Sequence, residues 1–396
     1  MITVLLLAIA AVQKPEAIRD DPALVEALRA RPLALVVVER AVEYRAQVLF
    51  ARIEKDAKGR LVLARRGFRT DAEYFYPASS IKFLAAIAAL EDLNERRAKD
   101  PRLTEETPLV FHPLFPGEEI EEKDPTHLGG GTITLRQEIR KLFLVSDNPA
   151  FNRLYEFVGQ AGLAKRLDRA GLESARLIHR LSESRSEDEN RRAPRIDFVL
   201  SERERVTVPE RTSKMKFADL RTNGVQVGKA VLEGTKTVDG AMSFARKNAI
   251  SLVELQDGLA RLVEPELALD GEPWALQPDQ RDMLLAVAAE YPADSRDPRY
   301  PRAEYPDSWG KFLLEGLEKV APKASWRIVN KIGRAYGFSV ENAWVVHVPS
   351  QRGLFVTATI YTNADGVLND GRYEYAEIAD PFLEALGEIV GRELAR

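Results

Sequence analysis

The 396-residue chain contains no cysteine. A disulfide framework and a zinc–thiolate site are therefore excluded, and redox chemistry says nothing about compartment. Histidine is scarce: His112, His127, His179 and His347 are scattered and no His-Glu-x-x-His occurs, so no metal centre is expected. There is no basic excess, since the net charge is -4, and nucleic acid is not an expected partner. The one long apolar run at the start, Met1–Val12, is too short for a stable membrane span. With Ala8-Ile9-Ala10 as a cleavage signal it reads as an export segment, periplasmic or secreted, although it lacks a positive leading region. A buried N-terminal segment is the alternative.

What is present is ordinary globular material. Hydrophobic residues make up 45% and charged residues 30%, enough for a large core or two lobes. The most informative stretch is Pro77-Ala78-Ser79-Ser80-Ile81-Lys82, followed by the apolar run Phe83 to Leu90. The run predicts a buried helix reaching Arg97, with Ser79 at its N-terminus and Lys82 one turn further on the same face. Unpaired N–H groups and the helix dipole favour negative charge near Ser79. A lysine held in an apolar wall loses ammonium stability and can accept a proton. Taken alone, the pair is equally a helix cap and a solvated lysine, and Ser-x-x-Lys recurs at Ser308–Lys311, where Trp309 and Gly310 suggest a loop.

Elsewhere the pattern predicts a helix over 20–30, strands over 47–53 and 60–69 joined at Lys58-Gly59, and a breaker-rich connection over 99–131. The acids Glu118 to Glu122 in that connection read as a solvated loop. A helix capped by Thr134 delivers Val145-Ser146-Asp147-Asn148-Pro149, and further helices follow to Gly159 and Gly171. Residues 182–205 read as an exposed loop. Residues 214–222 and 225–232 read as a hairpin about Asn223-Gly224, and helices are expected over 251–263 and 278–289. Gly224 to Ala230 fails as a phosphate loop, because position 223 is Asn, position 230 is Ala and no strand-to-helix setting follows. A rim over 291–310, strands over 326–332, 342–348 and 353–362, and a helix over 374–394 broken near Pro381 complete the chain. Strands thus come early and late with helices between. The expected fold is α+β: one antiparallel sheet of N- and C-terminal strands covered by helices, plus an all-helical lobe.

Three short elements stand in order: Ser79-Ser80-Ile81-Lys82, Ser146-Asp147-Asn148 and Lys331-Ile332-Gly333. Over roughly residues 45–395 the chain resembles the class A β-lactamase-like and penicillin-binding-protein-like serine hydrolases, whose signatures are S-x-x-K, S-D-N and K-T-G. The resemblance implies residues 1–20 as a signal or apolar segment and 21–396 as one catalytic domain of two lobes. The helical lobe would cover about 79–290, with an inserted β-hairpin region about 195–245. It also implies an acyl-enzyme mechanism on an amide, with β-lactams among the candidates, no cofactor, and a small-molecule or peptide substrate. A D,D-peptidase, D-amino-acid amidase or esterase on cell-wall peptides is the alternative, and a non-catalytic binding module on the same fold the third.

Carried over residue by residue, Ser79 is the nucleophile, Lys82 its base and Ser146 the proton relay to the leaving nitrogen. Asn148 holds Lys82 and the substrate, and Lys331 supplies positive potential. The N–H groups of Ser79 and Arg334 form the oxyanion hole, and Gly333 allows close approach. Three departures follow. Ile332 replaces the hydroxyl residue that helps bind the β-lactam carboxylate, leaving Arg334 as the candidate charge. The Glu-x-x-Leu-Asn pattern of the deacylating glutamate is absent; Glu183, 37 residues after Ser146 (183 − 146), is the first candidate and Glu187 the second. Finally, Ser146 and Lys331 are 185 residues apart (331 − 146), a longer gap than in a compact class A enzyme.

Overall fold

The computed structural model describes residues 18–126 and 130–396, so the Met1–Val12 segment and His127 lie outside the described residues. The organising element is the helix Lys82–Arg97, in which every residue from Lys82 to Leu93 is buried. Its stretch Phe83 to Leu90 is apolar all round rather than on one stripe, as a helix segment packed on every side must be. The helices Leu135–Leu144, Asn148–Val158 and Gln160–Arg169 pack on it, while Leu252–Val263 packs against the sheet.

That sheet is antiparallel along its main path, in the order Trp326–Asn330, Phe338–His347, Arg352–Tyr361, Gln47–Lys55, Leu61–Phe68. Early and late strands therefore pair, as the sequence pattern predicts. Strand alternation sends Val48 and Phe50 to one core and Leu49 and Ala51 to the other. The first core is closed by Pro22–Arg29, Pro32–Glu39 and Asp380–Leu394, the second by the helical lobe. Asp21 caps its helix through Leu24 N at 2.7 Å, and Thr134 caps the next through Gln137 N at 3.2 Å. The C-terminal helix restarts at Asp380, with Pro381 in its first turn where no donor is needed. Among the described residues no helix is long and apolar enough to cross a membrane.

Several expectations need correction. Residues 182–205 are not simply a surface loop. They contain the short helix Glu187–Asn190 and the strands Arg192–Ala193 and Ile196–Val199. The fully buried Arg180 anchors them: it pairs with Glu156 at 2.8 Å and donates to the carbonyls of Glu189 and Arg192. The hairpin is not at 214–232 but at Ala230–Glu233 and Lys236–Asp239. Residues 214–222 cannot join a ladder because Arg176 takes the Ala218 carbonyl and Leu220 N bonds Ala245 O. The acidic stretch is partly structural, since Glu118 accepts from Leu114 N and Phe115 N and Glu121 pairs with Arg153. The strand begun at Trp326 breaks after Asn330 and resumes at Gly333–Ala335.

The helix Leu314–Glu318 crosses Asp380–Leu394 at close range. A Cβ at Gly316 would overlap the Glu384 carbonyl and approach Glu388 N at 2.6 Å. Gly316→Ala should therefore destabilise the protein by about 1–3 kcal/mol, the usual cost of overpacking. Urea unfolding measures it, and a change below about 0.5 kcal/mol would contradict this packing.

Candidate active site

Ser79 lies in a single 3-10 turn, Ala78–Ile81, just ahead of the buried helix. The neighbouring hydroxyls differ: Ser80 is buried and donates to Pro77 O at 2.7 Å, while Ser79 lines a cleft of about 690 Å³. Lys82 points from the helix to the turn between two other helices. Its Nζ donates to Ser146 O at 2.6 Å, Asp147 O at 3.1 Å and Asn148 Oδ1 at 2.6 Å. Burial pulls the amine down to about 7, with the Asp147 charge opposing. Two successive carbonyls can aim at one amine because Ser146 takes φ 57°, a left-handed conformation that is costly without glycine.

Lys331 sits at the strand break. It is buried, and its Nζ donates to Ser146 Oγ at 2.8 Å and Ile332 O at 2.8 Å. Burial, then the nearby Lys82 charge, hold this amine well below the ordinary lysine value. Gly333 packs directly on the serine turn: a Cβ there would crowd Ser80 N at 2.6 Å and Ser79 N at 2.9 Å. This brings the Arg334 backbone beside Ser79. Ser79, Ser146, Asn148, Ile332 and Arg334 all line the one cleft.

Residues 65–222 match the model of the β-lactamase enzyme family, a span that contains the first two motifs but not Lys331. The chain is similar in structure to a β-lactamase from Desulfarculus baarsii, with TM-score 0.50 and 17% identity over 94% of this chain and 98% of that one. A β-lactamase from Xanthomonas campestris gives TM-score 0.50 and 19% identity over 94% and 99%. A PBP-A mutant in an acyl-enzyme complex with penicillin G gives 0.50 and 15% over 94% and 98%. No curated protein sequence matches the chain. Its fold is that of these β-lactamases and of PBP-A.

Within this β-lactamase-like fold, two of the expected groups stand elsewhere. Glu183 does not line the serine cleft; it faces two other clefts. Its carboxylate accepts from Asn152 Nδ2 at 2.7 Å and pairs with Arg185 at 3.3 Å. Glu187 opens a short helix and pairs with Arg246. The loop residue that meets Asn148 is Ser182, whose Oγ accepts from Asn148 Nδ2 at 2.6 Å. Arg334 does not offer a free charge. Its guanidinium pairs with Asp380 and lies over the rings of Phe312 and Tyr375, at 4.5 and 4.7 Å from their centroids.

Several site residues escaped the sequence pattern. Trp309, Phe312, Glu315, Asp380 and Glu384 line the cleft. The second Ser-x-x-Lys explains the first two: Ser308 lines the cleft, but Lys311 turns into the core. There it donates to Ile328 O at 3.0 Å and Asn330 Oδ1 at 2.7 Å, anchoring the segment. Asn152 was findable, because it lies four residues after Asn148 on the same helix face. It accepts from Leu181 N at 2.9 Å and donates to Leu181 O at 3.0 Å, so it pins the loop. Asn152→Ala should cost about 1–3 kcal/mol, since it strands buried backbone groups of Leu181. Urea unfolding together with limited proteolysis of residues 181–191 checks this; unchanged values in both would show that the clamp is dispensable.

Proposed function

We propose that the protein is a serine acyl-transfer hydrolase acting on an amide or ester bond, acylated faster than it is deacylated. The supporting observation is the convergence of two buried amines on Ser146, one of them tied to Asn148, in the cleft that Ser79 lines. In its neutral form Lys82 takes the Ser79 proton as the oxygen adds to the carbonyl. The Ser79 and Arg334 N–H groups hold the developing oxyanion, a contribution of about 3–4 kcal/mol per donor in such sites. Ser146 hands a proton to the leaving nitrogen and is reprotonated through Lys331. Asn148 keeps Lys82 in place with its Oδ1 and gives its Nδ2 to the substrate.

Release of the acyl group is the weak step. It needs a base for water, but Glu183 is held by Asn152 and Arg185, and Glu187 by Arg246. Ser182, which meets Asn148, is a poor base. Fast β-lactam turnover is therefore disfavoured relative to a peptidase-like or amidase-like activity on cell-wall peptides. Export through the Met1–Val12 segment suits such a substrate.

Incubation with benzylpenicillin and intact-mass detection tests this reading. A single adduct should survive desalting, persist in Ser80→Ala and vanish in Ser79→Ala. Rapid turnover without an adduct would refute the slow step, and labelling that survives Ser79→Ala would remove the serine. The acylation rate should also depend on pH in one direction. The reactive form is the neutral Lys82 amine, set down at about 7. The rate should then rise about tenfold per pH unit below that point and level off above it. Stopped-flow acylation between pH 5 and 9, at roughly unit steps, reads the profile; a rate falling across that range would refute the assignment.

A further inference from the structure

The reacting groups occupy one half of the cleft, and the other half has a charge pattern of its own. Its charged lining residues are Glu315, Asp380, Glu384 and Arg334, three carboxylates against one guanidinium. The guanidinium is committed: it pairs with Asp380, its Nε donates to Ser339 Oγ at 3.1 Å, and it lies over the rings of Phe312 and Tyr375. Lys331 does not line the cleft, since its amine is turned to Ser146 Oγ and Ile332 O. Ile332 adds hydrocarbon where a hydroxyl would be needed to hold an anion. Glu384 is paired with Lys319, and Glu315 is exposed with no ion pair among the described residues. Trp309 supplies a ring on the same wall, a surface that attracts organic cations, while the Phe312 ring is already met by Arg334.

We infer that this half of the cleft accepts a cationic group of the substrate, an alkylammonium, and disfavours a free carboxylate. The inference rests on the acyl-transfer reading of Ser79 and names the substrate class of that site. A cleft with an excess of one sign of charge, here the carboxylate of Glu315 left over from the Asp380–Arg334 and Glu384–Lys319 pairs, concentrates ligands of the opposite sign, and the effect falls with added salt.

The experiment uses three matched alkyl fluorophosphonates that end in trimethylammonium, methyl or carboxylate. In each, the Ser79 oxygen bonds to phosphorus, fluoride leaves and the hydroxyl proton passes to the Lys82 amine. Second-order labelling rates of the intact protein are read by mass. The cationic probe should modify Ser79 at least about tenfold faster than the anionic one, and salt should shrink the ratio. Glu315→Lys should bring the ratio down, with its unfolding midpoint measured to show that the variant is folded. A carboxylate probe as fast as the cationic one, while the methyl probe labels Ser79, would overturn the inference and leave the serine reading standing. Failure of all three probes to label Ser79 would overturn both.

Discussion

The site depends on one amine. Lys82 is the first residue of a helix buried almost end to end, and its ammonium reaches into a turn 64 to 66 residues further along the chain. A buried charge is tolerated only when its donors are all used. Here they are, by two adjacent carbonyls and one side-chain oxygen, and the arrangement forces Ser146 into its left-handed backbone. The same contacts join the central helix to the Asn148–Val158 helix, so the local strain is offset by a tertiary bond. Folding and the proposed reactivity thus share one interaction. Taking a proton away from Lys82 removes one donor and relieves burial at the same time, which is why the amine is poised near neutrality.

The second amine makes that poise sharper. Lys331 sees the Lys82 charge and shares Ser146 with it, through the hydroxyl rather than the carbonyl. Two ammonium groups in one buried pocket repel, so at neutral pH the pair favours fewer than two protons. Polar supports lie beneath both walls. Lys141 pairs with Asp124 at 2.6 Å, and Arg153 bridges Asp124 and Glu138 under the Ser146 turn. Lys311, Asn330 and Glu341 form a similar group under the Lys331 strand break, with Asn330 Nδ2 donating to Glu341 Oε1 at 2.7 Å. Such buried networks add little net stability, but removing one member is costly, so they serve to fix geometry.

Much of this was legible in the chain because it is local. The cap at Asp21, the cap at Thr134, the apolar run after Lys82 and the break at Pro381 are set by neighbours within a turn or two. The pairing of early and late strands followed from element order. What escaped was decided by distant partners. The Ala218 carbonyl went to Arg176, so the expected hairpin at 214–232 could not form. Arg334 looked like a free cation until Asp380, 46 residues on, claimed it. Lys311 repeated the spacing of Lys82, yet its side chain turned to the buried acceptors Ile328 O and Asn330 Oδ1. Spacing gives candidates; burial and acceptors choose among them.

The same logic governs the step that distinguishes a fast hydrolase from an acyl trap. A loop carboxylate can activate water only if the backbone presents it to the acyl bond, and that presentation is a matter of register. Asn152 holds both the N–H and the C=O of Leu181, so the residue pinned at this point is apolar and buried. Ser182, also left-handed at φ 57°, turns its hydroxyl to Asn148. Glu183 is thereby carried past the cleft and captured by Asn152 and Arg185. Shifting the loop by two residues (183 − 181), to bring Glu183 to the position of Leu181, would break both Leu181 bonds and separate that ion pair. The glutamate's distance along the sequence from Ser146 is close to what a deacylating base needs. Its place in space is set by the asparagine clamp, which holds Leu181 and leaves Glu183 outside the cleft that Ser79 lines.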